Sequence, residues 1–90
     1  MNGQTDALSA ARAEALFASS LSAAMQPTHE QAADAIRRAV RTCGGTRGCA
    51  AEVAAEFGEH PETAVSRMSW ALGTVRAAYP GQAKGYASAA

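Results

Sequence analysis

GCAAEVAAEFGEHPETAVSRMSWALGTVRAAY, residues 48–79, decides how this chain is read. It divides into a short helix, a tight break at Gly58-Glu59-His60 and a longer helix opened by Pro61. Proline suits a first helical position, where its missing N–H would have no partner anyway, and glycine suits the residue just past a helix end. In the longer helix Val65, Met68, Leu72, Val75 and Tyr79 recur at steps of three and four, which makes one apolar stripe. On the shorter helix Ala50, Val53, Ala54 and Phe57 form the facing side. The spacing predicts two helices folded sharply onto a shared seam, with Gly58 as a left-handed C-cap.

Working outward, Thr28-His29-Glu30-Gln31 fits a capping box, with the Thr hydroxyl and the Gln amide serving orphan backbone groups. The helix it opens buries Ala32, Ile36, Ala39, Val40 and Cys43. Arg37, Arg38 and Arg41 fall on its other side and near its C-terminus, where cations suit the macrodipole. Gly44-Gly45 ends it, and residues 43–49 read as a loop. Upstream, a helix begins with Thr5 or Asp6 as N-cap and runs to about Met25, with Phe17, Leu21 and Met25 along one face. Leu8 and Leu16 lie off that line. Such a helix either sits centrally or offers one side to a second copy, which makes a homodimer through the first helix one expectation.

Strand signals are nearly absent, because Val, Ile, Thr, Phe and Tyr never cluster with period two. The chain therefore reads as all-α: a compact four-helix domain over residues 1–80, with helices at about 6–25, 29–43, 49–57 and 61–79. Residues 81–90 show no periodicity and are expected to form a flexible tail.

Composition narrows the function classes. Ninety residues make one domain near the lower size limit for a self-sufficient core. Alanine supplies much of the apolar fraction, so the expected core rests on about fifteen larger side chains worth roughly 1.5–3 kcal/mol each when fully buried. Eight basic and eight acidic residues balance, which argues against a non-specific, charge-driven nucleic-acid binder. No apolar run approaches the length of a membrane span, and the Met1-Asn2-Gly3-Gln4 start lacks the basic and apolar regions of a signal peptide. The expected location is cytoplasmic, with no membrane partner.

Catalytic chemistry finds no support in the residue pattern. No nucleophile is paired with a base, no glycine-rich phosphate loop follows a strand, and the carboxylates are scattered. His60 precedes Pro61 at a helix start, where capping is the ordinary role. Cys43 and Cys49 flank a glycine-rich segment at a spacing that matches neither a CxxC redox motif nor a paired-CxxC zinc site. They read as small buried residues at helix ends, with a disulfide or a redox switch as alternatives. No cofactor and no metal are expected.

The pair of helices around Gly58 carries a resemblance. Val53, Ala54, Phe57, Gly58, Val65 and Met68 place a small residue before the turn glycine and apolar anchors beyond it. This resembles the helix-turn-helix of bacterial DNA-binding proteins over about residues 48–72, although Glu59 stands where an apolar residue usually follows the glycine. The Ala/Arg/Gly-rich, Lys-poor composition is similar to that of proteins from high-GC actinobacteria.

The resemblance implies that Pro61 to Leu72 is a recognition helix, with Thr63, Ser66, Arg67 and Trp70 facing outward. Arg67 would then meet a guanine edge or a phosphate, and Thr63 and Ser66 would donate to phosphates. Trp70 lies off the apolar stripe, so it either packs beneath the first helix against Phe17 or Leu21 or forms an exposed anchor for a partner. A dimer would gather Arg37, Arg38, Arg41, Arg47 and Arg67 on one surface. The expected function is a small regulatory module that binds DNA, alone or as a dimer. The alternative is an adaptor that binds another protein through the Trp70/Arg67 face or the spare side of the first helix, without nucleic acid.

Overall fold

A computed structural model describes residues 6–80. They form four helices: α1 (Ala7–Ala18), α2 (His29–Cys43), α3 (Thr46–Glu59) and α4 (Pro61–Ala78). Residues 81–90, expected as a tail, and Thr5, the other N-cap candidate, lie outside the described residues.

The helix starts follow local chemistry. Asp6 caps α1, with its Oδ1 accepting from the Ser9 N–H at 2.7 Å. At Thr28 both halves of the capping box form: the hydroxyl accepts from the Gln31 N–H at 3.1 Å, and the Gln31 side chain accepts from the Thr28 N–H at 2.9 Å. Pro61 sits at the first position of α4.

The turn between α2 and α3 is only Gly44-Gly45, shorter than the expected loop. The Gly45 N–H donates to the Val40 carbonyl and the Gly44 N–H to the Arg41 carbonyl, which is the Schellman pattern. Gly44 lies at φ 79° and Gly45 at φ 121°, ψ 174°, the latter a conformation open essentially to glycine alone. With the chain reversed so quickly, α3 begins at Thr46 rather than at Cys49.

Two expected boundaries are corrected. The first helix ends at Ala18 and not near Met25, so Phe17, Leu21 and Met25 do not share a helical face. Phe17 is buried, Leu21 is half-buried beyond the helix, and Met25 is exposed. Gly58 is not a left-handed C-cap. It lies within α3, which runs on to Glu59, and a single residue, His60, joins α3 to α4. The His60 N–H closes α3 on the Glu56 carbonyl at 2.7 Å, while its own carbonyl accepts the first helical bond of α4 from Ala64.

α1 occupies the centre and packs against all three other helices. Ala15 and Leu16 on it are completely buried, with Ala13 and Phe17 beside them. The side of α1 that was expected to be spare is therefore taken up within the chain.

The seam along α4 is also turned from the expected one. Val65 is exposed, Met68, Leu72 and Tyr79 are half-buried, and only Val75 of that stripe is fully inside. The buried line is instead Ala64, Ala71, Thr74, Val75 and Ala78. On α3, Cys49 and Val53 are buried while Ala54 faces solvent, so Ala54 is not the residue that lets α3 and α4 approach. Eight of the thirteen buried apolar residues in the described chain are alanine. Small side chains let helix axes come close, at the cost of little apolar area buried per residue.

Three side chains knot the end of α4 to α1 and α2. His29 Nδ1 donates to the Ala78 carbonyl at 2.9 Å, and its ring meets Tyr79 edge-on with centroids 4.6 Å apart. The Arg12 guanidinium lies 3.8 Å from the centre of the same Tyr79 ring, a cation–π contact. None of the described helices is long and apolar enough to cross a membrane.

Candidate interaction surface

Arg67 is the residue whose placement changes the functional reading most. α1 carries no basic residue in its last turn. Its terminal carbonyls, which have no partner within the helix, are met by Arg67 reaching over from α4. Arg67 Nε donates to the Phe17 carbonyl at 2.7 Å, and one terminal nitrogen lies 2.8 Å from the Leu21 carbonyl, 3.0 Å from that of Ser19 and 3.3 Å from that of Leu16. A planar cation with several donors suits this cluster, and a positive charge suits a helix C-terminus. Burial pulls the guanidinium pKa below its ordinary value. Ser19 completes the cap by donating its hydroxyl to the Leu16 carbonyl at 2.6 Å. Arg67, expected on the outward face, is thus held against the end of α1.

Trp70 answers the two alternatives with a mixture. It is half-buried and packs against the main core cluster, which includes Phe17 and is also flanked by Leu21. Its indole N–H donates to the Met25 carbonyl at 2.9 Å, and the Arg67 guanidinium sits 4.8 Å from its ring centre. Together Arg67 and Trp70 fasten the non-helical segment 19–28 to α4.

Thr63 and Ser66 are exposed on α4, and the Thr63 hydroxyl donates back to the His60 carbonyl at 3.1 Å. Arg47 is exposed in the first turn of α3. Arg37 and Arg38 both pair with Asp34 on the open surface of α2, at 3.5 and 3.1 Å.

Of the expected site residues, the fold brings Thr63 and Arg67 to one groove of about 320 Å³ between α1, α3 and α4. Apolar Phe17, Ala18 and Ala64 line it together with Ser19, Glu52 and Glu56. The two glutamates are one helical turn apart on α3, and both are exposed. Glu52 and Glu56 were not singled out from the sequence, but a signal for them exists. Between Arg47 and Arg67 the chain carries Glu52, Glu56, Glu59 and Glu62 and not one Lys or Arg.

A second cavity of about 380 Å³ lies between segment 18–25 and α2, with the Asp34–Arg38 pair in its wall. No group of three or more His, Cys, Asp or Glu side chains is arranged to hold a metal ion among the described residues. Comparison of the chain with protein-family models, with curated proteins and with solved structures finds no match.

Proposed function

We propose that this chain is a small protein-interaction module that takes a Lys- or Arg-bearing partner segment against the groove between α1, α3 and α4. One observation carries the reading. The capture of Arg67 by four carbonyls ties down the one basic residue of the groove and leaves Glu52 and Glu56 in its wall beside Phe17, Ala18 and Ala64. Acidic side chains beside a small apolar strip complement a basic segment with an apolar anchor, and they oppose phosphate. Rim ion pairs of this kind guide and select a partner, while the apolar contact holds it.

The helix-turn-helix reading remains as the second proposal, a regulatory module that binds DNA. It is favoured by the placement of Thr63 and Ser66 on the open face of a helix entered at Pro61, and by the exposed Arg41 and Arg47 on either side of the Gly44-Gly45 turn.

One titration separates the two. A labelled peptide in which Arg alternates with Leu, its counterpart with Glu for Arg, and a labelled DNA duplex are each titrated with the protein at low and at physiological salt. The adaptor reading expects binding of the basic peptide only, weakened roughly fivefold by the double change Glu52→Gln, Glu56→Gln, the effect of about 1 kcal/mol of lost ion pairing. Duplex binding that falls steeply with salt, with no preference between the peptides, overturns it in favour of DNA.

A further inference from the structure

We propose that Cys43 and Cys49 form a redox-active dithiol that closes into an intramolecular disulfide across the turn between α2 and α3. Both cysteines are free thiols. Cys43 is the last residue of α2, and Cys49 lies one turn into α3. The two-glycine turn between the helices leaves no slack. Gly48 sits so close to the end of α2 that a methyl group on it would overlap the Cys43 carbonyl, so the first turn of α3 rests backbone to backbone on Cys43. That contact delivers the next residue, Cys49, to the same spot. Its Sγ lies 3.6 Å from the carbonyl of Ala39, one helical turn before Cys43. Cys43 packs against the small buried cluster of Ala15, Ala39 and Cys49, and its Cβ would lie 3.2 Å from a methyl group on Gly48, the residue before Cys49. Two cysteines packed in one cluster at adjoining helix ends are placed for the short reach that a disulfide requires.

Their exposures differ in a way that orders the chemistry. Cys43 is half-buried and open to a small oxidant, whereas Cys49 is only 1% exposed and accessible to Cys43 alone. With glutathione disulfide as oxidant, the Cys43 thiolate attacks one glutathione sulfur. A mixed disulfide forms and one glutathione thiolate leaves. Cys49 then attacks the Cys43 sulfur, which forms the Cys43–Cys49 bond and releases the second glutathione thiolate, and the Cys49 proton passes to the departing thiolate. Both leaving thiolates are reprotonated. Two protein thiols are oxidised and one glutathione disulfide is reduced to two thiols. Burial pushes the Cys49 thiol up to about 12. Its thiolate is scarce at neutral pH, so the second step is the slow one and quickens as pH rises.

The test uses the whole chain in glutathione buffers ranging from reducing to oxidising, quenched in acid and read by intact mass and by alkylation of free thiols. The expected result is a single transition in which the protein loses two hydrogens and both alkylatable thiols. Trypsin cuts after Arg41, Arg47 and Arg67, so fragments 42–47 and 48–67 then remain joined until a reductant is added. Cys49→Ser is expected to stop as the glutathione adduct of Cys43, and Cys43→Ser to stay unmodified at Cys49. The wild-type result stands even if a variant fails to fold. A wild-type chain that keeps both thiols in the most oxidising buffer, stops at the glutathione adduct, or links to a second chain overturns the proposal.

Discussion

A helix that stops at Ala18, with no glycine or proline near, needs a partner for its last carbonyls, and that partner is fifty positions away in Arg67. Charge-assisted bonds of this kind contribute about 1.5–3 kcal/mol each before the ordering of the side chain is set against them. Arg67→Met keeps the apolar stem but leaves the carbonyls of Leu16, Phe17, Ser19 and Leu21 without their common donor. A loss of about 2–3 kcal/mol is expected, read as a Tm lower by roughly 10 °C or more. Arg67→Lys should rescue little, because a single ammonium cannot span the four acceptors. Wild-type-like stability of the Met variant would show that water serves those carbonyls equally well. Nothing within α1 announces this stop, which is why the sequence carries the helix on to Met25. The other residue-scale consequence concerns Cys49. Its pKa rises from 9.0 to about 12 through burial, so the unfolded thiol ionises first. The buried thiol's contribution is complete below about pH 9 and is lost as pH climbs towards 12. Urea unfolding under reducing conditions should show stability falling over that range in the wild type and falling less in Cys49→Ala. Parallel curves would rule out the buried thiol as the cause.

Element boundaries were legible wherever the cap is local. Thr28 with Gln31, the Gly44-Gly45 pair and Pro61 each act on backbone within a few residues, and each marks a real helix end. The seams were less legible, because reading by side-chain size favours Val65, Met68 and Leu72, whereas helices this close select Ala64, Ala71 and Ala78. Gly58 misled for a related reason: a glycine near a break reads as the break itself, although the reversal falls at His60. Its helical placement reverses the sign of a mutation. Nothing lies within 4 Å of a methyl group at Gly58, and its φ is not positive. Gly58→Ala should therefore stabilise by about 0.5–1 kcal/mol, through the lower entropy of the unfolded chain and better helix propensity. A left-handed glycine would respond with a loss instead. Gly48→Ala is the contrasting case, since its methyl would overlap the Cys43 carbonyl and force α2 and α3 apart. A cost of about 1–3 kcal/mol is expected there. Chemical denaturation of the two variants beside the wild type checks both signs.

At the scale of the molecule, the placement of α1 decides what the chain can do by itself. Apolar residues on two sides of that helix admit either a dimer or a central position, and composition cannot distinguish them. The structure fills both sides of α1 with α2, α3 and α4, leaving Leu16 and Ala15 wholly buried. Among the described residues only Leu8, Met25 and Val65 are large, apolar and exposed, and they lie on α1, the 19–28 segment and α4 in turn. Single exposed side chains on separate elements do not make the contiguous patch that a stable self-interface requires. Charge points elsewhere. Arg37, Arg38, Arg41 and Arg47 fall in one stretch and Glu52, Glu56, Glu59 and Glu62 in the next, all exposed, so the charges that sum to zero are unevenly distributed along the chain. Attraction between unlike charges of two copies is screened at physiological salt, where the Debye length is about 8 Å. Sedimentation equilibrium from micromolar to millimolar protein at that salt should therefore return the mass of one chain, 9.2 kDa. Association confined to low salt would trace to these charges and should weaken with Glu52→Gln, Glu56→Gln. A dimer that persists at high salt would instead require an apolar interface that the described surface does not offer, and Leu8→Ser and Val65→Ser would locate it.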